Sequence, residues 1–255
     1  MKIAVVTGAS SGIGREFVRQ IEHFYKDLDE IWVIARRKDR LEKLDQETML
    51  SLRIFSGDLL KKQIYRDYDD ALKKFSPDVR MLVNAAGFGK SGTFLDIAAS
   101  GKRIQTDMAD LNCRSLTRML QLTIPYMSRG GRILNIASAA AFCPQPFFAV
   151  YAATKAYVLS LSRSLRAELK PLGIIVTAVC PGPVDTEFFE ISGSLRGPLK
   201  KLTLAKPSRV VKRALTDSRR RRGLSVYGAA MKTAYLGTKL LPHRLIIRVE
   251  ELFKG

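Results

Sequence analysis

A phenol and an ammonium stand four residues apart in Tyr151-Ala-Ala-Thr-Lys155. On a helix that spacing sets them on one face, a turn apart. Such a pair can move a proton. A free phenol, with a pKa of about 10, is a poor acid–base near neutral pH, and a neighbouring ammonium favours the phenolate. Spacing alone does not establish this chemistry, because Tyr235-Leu-Gly-Thr-Lys239 repeats it. With 8 Tyr and 19 Lys in 255 residues, chance gives about 0.6 such pairs. The surroundings must separate the two.

Thirteen residues before Tyr151, Ser138 closes an apolar run, whereas Arg222 stands thirteen before Tyr235. Strand-like runs are read at 2–7, 30–35, 51–55, 80–86, 131–138, 173–180 and 223–228. Helical patterns lie between them at about 12–26, 38–47, 61–75, 100–127, 150–170 and 207–218. Strands alternating with helices, in β-branched runs too apolar to face water on either side, predict a parallel sheet covered on both faces. The expected fold is one doubly wound α/β domain over residues 1–255 with about seven strands and a helical C-terminal extension. In such a sheet the carboxyl ends of the strands share one edge, where ligands bind. Ser138, the Asn84-Ala85-Ala86-Gly87 stretch and Pro181-Gly182-Pro183-Val184-Asp185-Thr186 all follow strand ends. Tyr151 and Lys155 therefore have an active-site setting, and Tyr235 and Lys239 do not.

The first strand runs into Thr7-Gly8-Ala-Ser10-Ser11-Gly12-Ile13-Gly14 and then a helix. Glycine allows a tight turn and close approach of a pyrophosphate, which the N–H groups of a helix start can bind. The same turn would also serve as a plain strand–helix connection. The second strand ends at Ala35, where an acidic residue would favour the ribose 2′-hydroxyl of NAD; Arg36 and Arg37 follow instead. Arginines there can pair the 2′-phosphate of NADP(H). Arg36 is the stronger candidate, and the alternative is that both merely begin a solvated helix.

Taken in order over roughly residues 2–190, TGASSGIG, SGDL with Asp58, NAAG, Asn112, Ser138, YAATK and PGPVDT resemble the short-chain dehydrogenase/reductase family. The resemblance implies a Rossmann-type, nicotinamide-dependent oxidoreductase with a tetrad of Asn112, Ser138, Tyr151 and Lys155. It implies a cofactor site built from Gly8, Ser10, Ser11, Gly12, Ile13 and Gly14, with Asp58 at the adenine and Leu59 beside it. Asn84, Ala85, Ala86 and Gly87 would line that site, and Pro181, Gly182 and Val184 would lead to Thr186 at the carboxamide. The family often carries a second Asn where Ala85 stands. In this reading hydride reaches a carbonyl carbon and Tyr151 protonates the developing alkoxide. Lys155 lowers the phenol's pKa and holds the nicotinamide ribose, while Ser138 donates to the substrate oxygen. Asn112 would hold a water linking Lys155 to solvent, although a mid-helix Asn is equally a buried hydrogen-bonding residue.

Cys113, Cys143 and Cys180 are widely spaced, and His23 and His243 are the only histidines, so neither a disulfide scaffold nor a metal framework is expected. That cysteine usage suggests a reducing, cytoplasmic setting, and neither a signal peptide nor a membrane span is read. The net charge of +19 is lopsided: residues 196–255 hold 16 basic and 3 acidic residues. Such a tail suggests an acidic partner, an anionic substrate or an anionic lipid surface. Residues 187–206, with Phe188, Phe189 and Leu195, are expected to cover an apolar, lipid-like carbonyl substrate, as the resemblance implies. The extension at 228–254 is loosely similar to those of ketoacyl and hydroxysteroid reductases; packing on the domain edge is the plainer alternative. The resemblance further implies a homodimer or homotetramer, through the helices at 100–127 and 150–170. Two rival readings stand beside this one. A catalytically silent dinucleotide-binding regulator is opposed by the intact tetrad. A nucleic-acid binder is not expected, since no groove-reading motif accompanies the charge.

Overall fold

The structure, a computed structural model, describes residues 1–188, 192–193 and 204–252, with side chains through residue 248. Seven parallel strands form one sheet: β1 (Lys2–Thr7), β2 (Glu30–Ala35), β3 (Leu52–Ser56), β4 (Asp78–Asn84), β5 (Arg132–Ile136), β6 (Ile175–Val179) and β7 (Leu224–Ser225). Their order is β3-β2-β1-β4-β5-β6-β7. The chain builds outward from β1 in one direction, then returns to build outward from β4 in the other. That reversal opens a crevice beyond the carboxyl ends of β1 and β4.

Along β1, Ile3 and Val5 join the core on one face, while Ala4 and Val6 join the core on the other. A strand buried on both sides explains the unbroken apolar runs. One face is covered by α1 (Gly12–Phe24), α2 (Lys38–Glu47) and α8 (Pro207–Arg219), through Phe17, Ile21, Leu41, Leu44, Val211 and Leu215. The other is covered by α3 (Gln63–Phe75), α6 (Leu116–Thr123) and α7 (Ala149–Glu168), through Tyr68, Leu72, Met119, Leu120, Val158 and Leu159.

The helical stretch expected at 100–127 is not one regular helix. It comprises α5 (Ile104–Ala109), a π-helical turn (Asp110–Ser115), α6 and a 3₁₀ turn (Ile124–Tyr126) that contains Pro125. A short helix, α4 (Phe94–Ser100), precedes it, started by Thr93, whose hydroxyl accepts from the Asp96 N–H at 3.1 Å. The arginine run at 219–222 turns the chain from α8 into β7. There Arg222 and Arg213 pair with the buried Asp217, which also accepts from the Ser225 hydroxyl. The C-terminal extension forms α9 (Ala229–Leu240) and α10 (His243–Leu252), parted at Pro242. Among the described residues no helix is long and apolar enough to cross a membrane.

Candidate active site

The glycine turn after β1 is held on two sides. Gly8 N–H donates to the Ile34 carbonyl at 2.8 Å, and the Thr7 hydroxyl accepts from the N–H groups of Ala85 and Ala86 at 3.1 and 3.2 Å. Gly8 has φ +70°, and a Cβ on Gly14 would lie 2.2 Å from the Gly8 carbonyl oxygen. The positive dihedral favours glycine at Gly8, and the close approach leaves no room for a side chain at Gly14. Ser11 begins α1 without capping it through its side chain, which leaves first-turn N–H groups uncapped by that residue.

The ends of β5 and β6 are tied by main-chain bonds from Ala137 to Val179 and from Ala139 to Pro181, both 2.8 Å. Ser138 lies between them, its hydroxyl accepting from the Ala140 N–H at 3.1 Å. Helix α7 brings Tyr151 and Lys155 beneath this edge, both nearly buried. Lys155 Nζ lies 5.6 Å from the centre of the Tyr151 ring and donates to the Ile136 carbonyl at 2.8 Å. Burial dominates both groups. It pushes the Tyr151 phenol up to about 12, against a downward pull from Ser138, and pulls the Lys155 ammonium down to about 8. The lowered phenol pKa expected from a Lys155 charge is therefore not what this arrangement gives. The carbonyl of Ile136, not the phenol, is the hydrogen-bond acceptor of that ammonium.

Asn112 sits on the π-helical turn, a widening that often marks a functional position. Its amide donates to the Phe88 carbonyl (2.9 Å) and the Thr154 hydroxyl (3.0 Å), and its oxygen accepts from the Phe88 N–H (3.1 Å). That side chain fastens the loop after β4 onto α7. Asn84 is engaged inside the sheet: its amide donates to Asn135 at 2.9 Å, and Asn135 donates to the Ser162 hydroxyl at 3.0 Å.

A cavity of about 1780 Å³ runs along the carboxyl edge of the sheet. All the residues predicted for catalysis or cofactor binding line it except Asn84 and Asn112, which stand behind the wall. The glycine turn, Arg36, Arg37, Asp58 and Leu59 line it together with Ser138, Tyr151 and Lys155, and Met231, Leu241 and Ile246 of the C-terminal extension contribute to its wall. Of the two arginines, Arg36 is exposed, while Arg37 donates to the Ser10 hydroxyl and to Glu187. Asp58 turns the chain after β3, its carboxylate accepting from the Leu60 N–H at 3.0 Å.

Three rings meet at the phenol, and sequence reading missed two features of this junction. Phe148 stacks on Tyr151 at 4.3 Å between centroids, and Phe188 tilts against it at 5.4 Å. Phe148 was not foreseen, although the aromatic pair Phe147-Phe148 just ahead of α7 was a signal. Gly89 was not foreseen either: a Cβ there would lie 2.8–2.9 Å from atoms of all three rings. Of the expected substrate cover, Phe189 and Leu195 lie outside the described residues. Cys143 lines the cavity, and Cys180 is fully buried, its thiol pushed up by burial to about 12.

Tyr235 and Lys239 have nearly the same internal geometry, with 5.2 Å from ammonium to ring centre, but neither lines the cavity. The Tyr235 hydroxyl accepts from Arg163 at 3.1 Å and its ring packs on Phe142.

Residues 2–194 match a family model described as short chain dehydrogenase. An uncharacterized oxidoreductase of Staphylococcus epidermidis is 34% identical over 219 residues, covering 85% of this chain and 91% of that one. The very-long-chain 3-oxoacyl-CoA reductase-B of Danio rerio is 30% identical over 253 residues, covering 96% and 78%. Among solved structures, a short-chain dehydrogenase from Sphingobium yanoikuyae in complex with NADPH has a TM-score of 0.76 at 28% identity, covering 94% of each chain.

Proposed function

The chain belongs to the short-chain dehydrogenase family, and on that premise we propose that it is an NADP(H)-dependent oxidoreductase acting between a carbonyl and a secondary alcohol. The observation that carries the reading is the one continuous cavity, which joins the glycine turn and Arg36 to Ser138, Tyr151 and Lys155. The residues present fit the cofactor. The uncapped first turn of α1 offers main-chain donors to a pyrophosphate, and the end of β2 offers arginines and no acid to a 2′-phosphate.

NADP(H), when bound, supplies or accepts the hydride. The chain's own part is proton transfer and orientation. Tyr151, neutral through the physiological range, is in the protonated form that reduction of a ketone needs. Ser138 donates to the substrate oxygen and polarises it. Lys155, anchored by the Ile136 carbonyl, keeps two further N–H donors for the ribose. Asn112 acts as a positioning residue, since its amide is spent on Phe88 and Thr154.

The substrate is an apolar, lipid-like carbonyl compound. Phe148, Phe188, Met231 and Leu241 give the cavity apolar lining, and the 3-oxoacyl-CoA reductase relative acts on a compound of that class by its name. The chain works as a single domain, as a homodimer or homotetramer. It rests peripherally on anionic membranes through α9 and α10, where Leu236 and Leu240 are 57% and 82% exposed beside Lys232 and Lys239. An NADPH-oxidation screen over ketoacyl thioesters, steroid ketones and small aldehydes tests the substrate class. Turnover of the long-chain or steroid ketones above the small aldehydes is expected. Preference for small polar aldehydes would contradict it.

A further inference from the structure

Glu187 directly follows the Pro181–Thr186 turn, yet its carboxylate reaches back across the cavity to the arginines beyond β2. One oxygen accepts from Arg37 Nη1 at 2.8 Å, and the other accepts from Arg40 Nη1. Arg37 in turn donates through Nε and Nη2 to the Ser10 hydroxyl of the glycine turn, at 3.3 and 3.2 Å. Glu187, Arg37 and Ser10 all line the cavity. The two guanidiniums hold the Glu187 carboxyl below its ordinary range, so it is an anion at neutral pH.

An anion held by two guanidiniums at this end of the cavity occupies the chemistry that a phosphate monoester would use. All three side chains are more than a third exposed. Ion pairs so exposed are weak, and a dianion with three acceptor oxygens can replace a carboxylate as their partner. Resting on the reading that NADP(H) is the cofactor, we propose that Glu187 is the resident counter-ion of Arg37 and Arg40, that the cofactor's 2′-phosphate takes its place, and that Glu187 thereby limits selectivity for NADPH over NADH. The carboxylate costs NADPH a displacement that NADH, with a neutral 2′-hydroxyl, does not require. Its negative charge also stands near the incoming phosphate and opposes it.

The test is the affinity of NADPH and of NADH, measured by nicotinamide fluorescence on binding, for the unmodified protein, Glu187→Gln and Glu187→Asp. Glu187→Gln keeps the side chain's shape and removes its charge. It is expected to raise the NADPH-to-NADH affinity ratio about tenfold, as loss of one charge-assisted competitor implies. Glu187→Asp is expected to stay within about threefold of the unmodified ratio. Binding of adenosine 2′-monophosphate should strengthen in Glu187→Gln in parallel, and adenosine 5′-monophosphate should not. A ratio unchanged or lowered by Glu187→Gln overturns the proposal and leaves Glu187 a structural tie between two walls of the cavity. The cofactor reading fails on a different result, an unmodified protein that binds NADPH no more tightly than NADH. The change in the ratio on Glu187→Gln tests the counter-ion role in either case.

Discussion

Lys155 donates its ammonium proton to the main-chain carbonyl of Ile136, 2.8 Å away, in a nearly dry setting. The bond runs from α7 to the end of β5, so this cavity-lining residue is fixed by the sheet itself. A buried cation anchored on one main-chain carbonyl is costly to fold, and its depressed pKa of about 8 is the measure of that cost.

Lys155→Met should therefore stabilise the cofactor-free protein by about 1–3 kcal/mol at pH 7, while removing turnover. The gain should depend on pH. Between about 8 and the ordinary value of 10.5, the unfolded chain carries a proton that the folded chain lacks. Folding of the unmodified protein thus gains stability as pH rises through that window, and the advantage of the variant shrinks. Denaturant unfolding of both proteins at pH 7, 8.5 and 10 measures this. A variant less stable at pH 7, or an advantage that does not narrow by pH 10, would contradict the dominance of burial at this site.

Gly89 is where Phe148, Tyr151 and Phe188 converge, with less than 3 Å to spare for a methyl group. Gly89→Ala must push at least one ring off the phenol. The expected outcome is a loss of stability of about 1–3 kcal/mol from overpacking. A fall in kcat should accompany it, with NADPH affinity nearly kept, because none of the three rings belongs to the glycine turn or to the arginines after β2. Thermal unfolding together with steady-state kinetics checks it, and unchanged kcat would show that the aromatic junction is not needed for turnover.

The sheet was legible because β1, β2, β4 and β6 are apolar on both faces, a pattern only a covered parallel sheet produces. Its last strand was overread: GLSVYG contributes only Leu224 and Ser225 to pairing, being bounded by Gly223 and Gly228. The π-helical turn at Asp110–Ser115 escaped notice because the widening leaves the apolar periodicity of its neighbours almost intact. Helix α4 escaped by being seven residues long, although Thr93 with Asp96 three residues on was a readable start signal. The residues of the cavity wall were legible where a motif follows a strand end. The contacts among them were not. Tyr151 with Phe188 and Arg37 with Glu187 are brought together by the topology across 37 and 150 residues, and no local pattern encodes such meetings.

Arg36 is exposed at the end of β2 on the cavity wall. Arg36→Ala should weaken NADPH binding by about 1–3 kcal/mol, the size of a charge-assisted contact, and leave NADH nearly unaffected. Equilibrium titration with both cofactors decides it. Equal losses for the two would show that Arg36 does not meet the 2′-phosphate.

The extension α9–α10 leaves Leu240, Leu241 and Leu245 exposed among Lys232, Lys239, Arg244 and Arg248. Basic side chains can lay their stems along lipid and keep their charges in water. Each contributes about 1 kcal/mol near an anionic surface, so four give measurable binding at low salt. Co-sedimentation with anionic but not neutral liposomes is expected, lost at high salt. Equal sedimentation with both vesicle types, or with neither, would leave the extension as a wall of the cavity only.

Tyr151, and not the equally spaced Tyr235, is the expected proton donor of the reductase. The two tyrosines have closely similar lysine neighbours, with 5.6 and 5.2 Å from ammonium to ring centre, so the sequence motif cannot distinguish them and the cavity does. The measurement is NADPH-dependent reduction of a ketone by Tyr151→Phe and Tyr235→Phe, with NADPH affinity determined alongside. Tyr151→Phe is expected to lower kcat at least by the roughly 10²–10⁴ of a positioned acid–base group while keeping the cofactor bound, and Tyr235→Phe to leave kcat within about twofold. A severe loss in Tyr235→Phe with Tyr151→Phe still active would contradict the account.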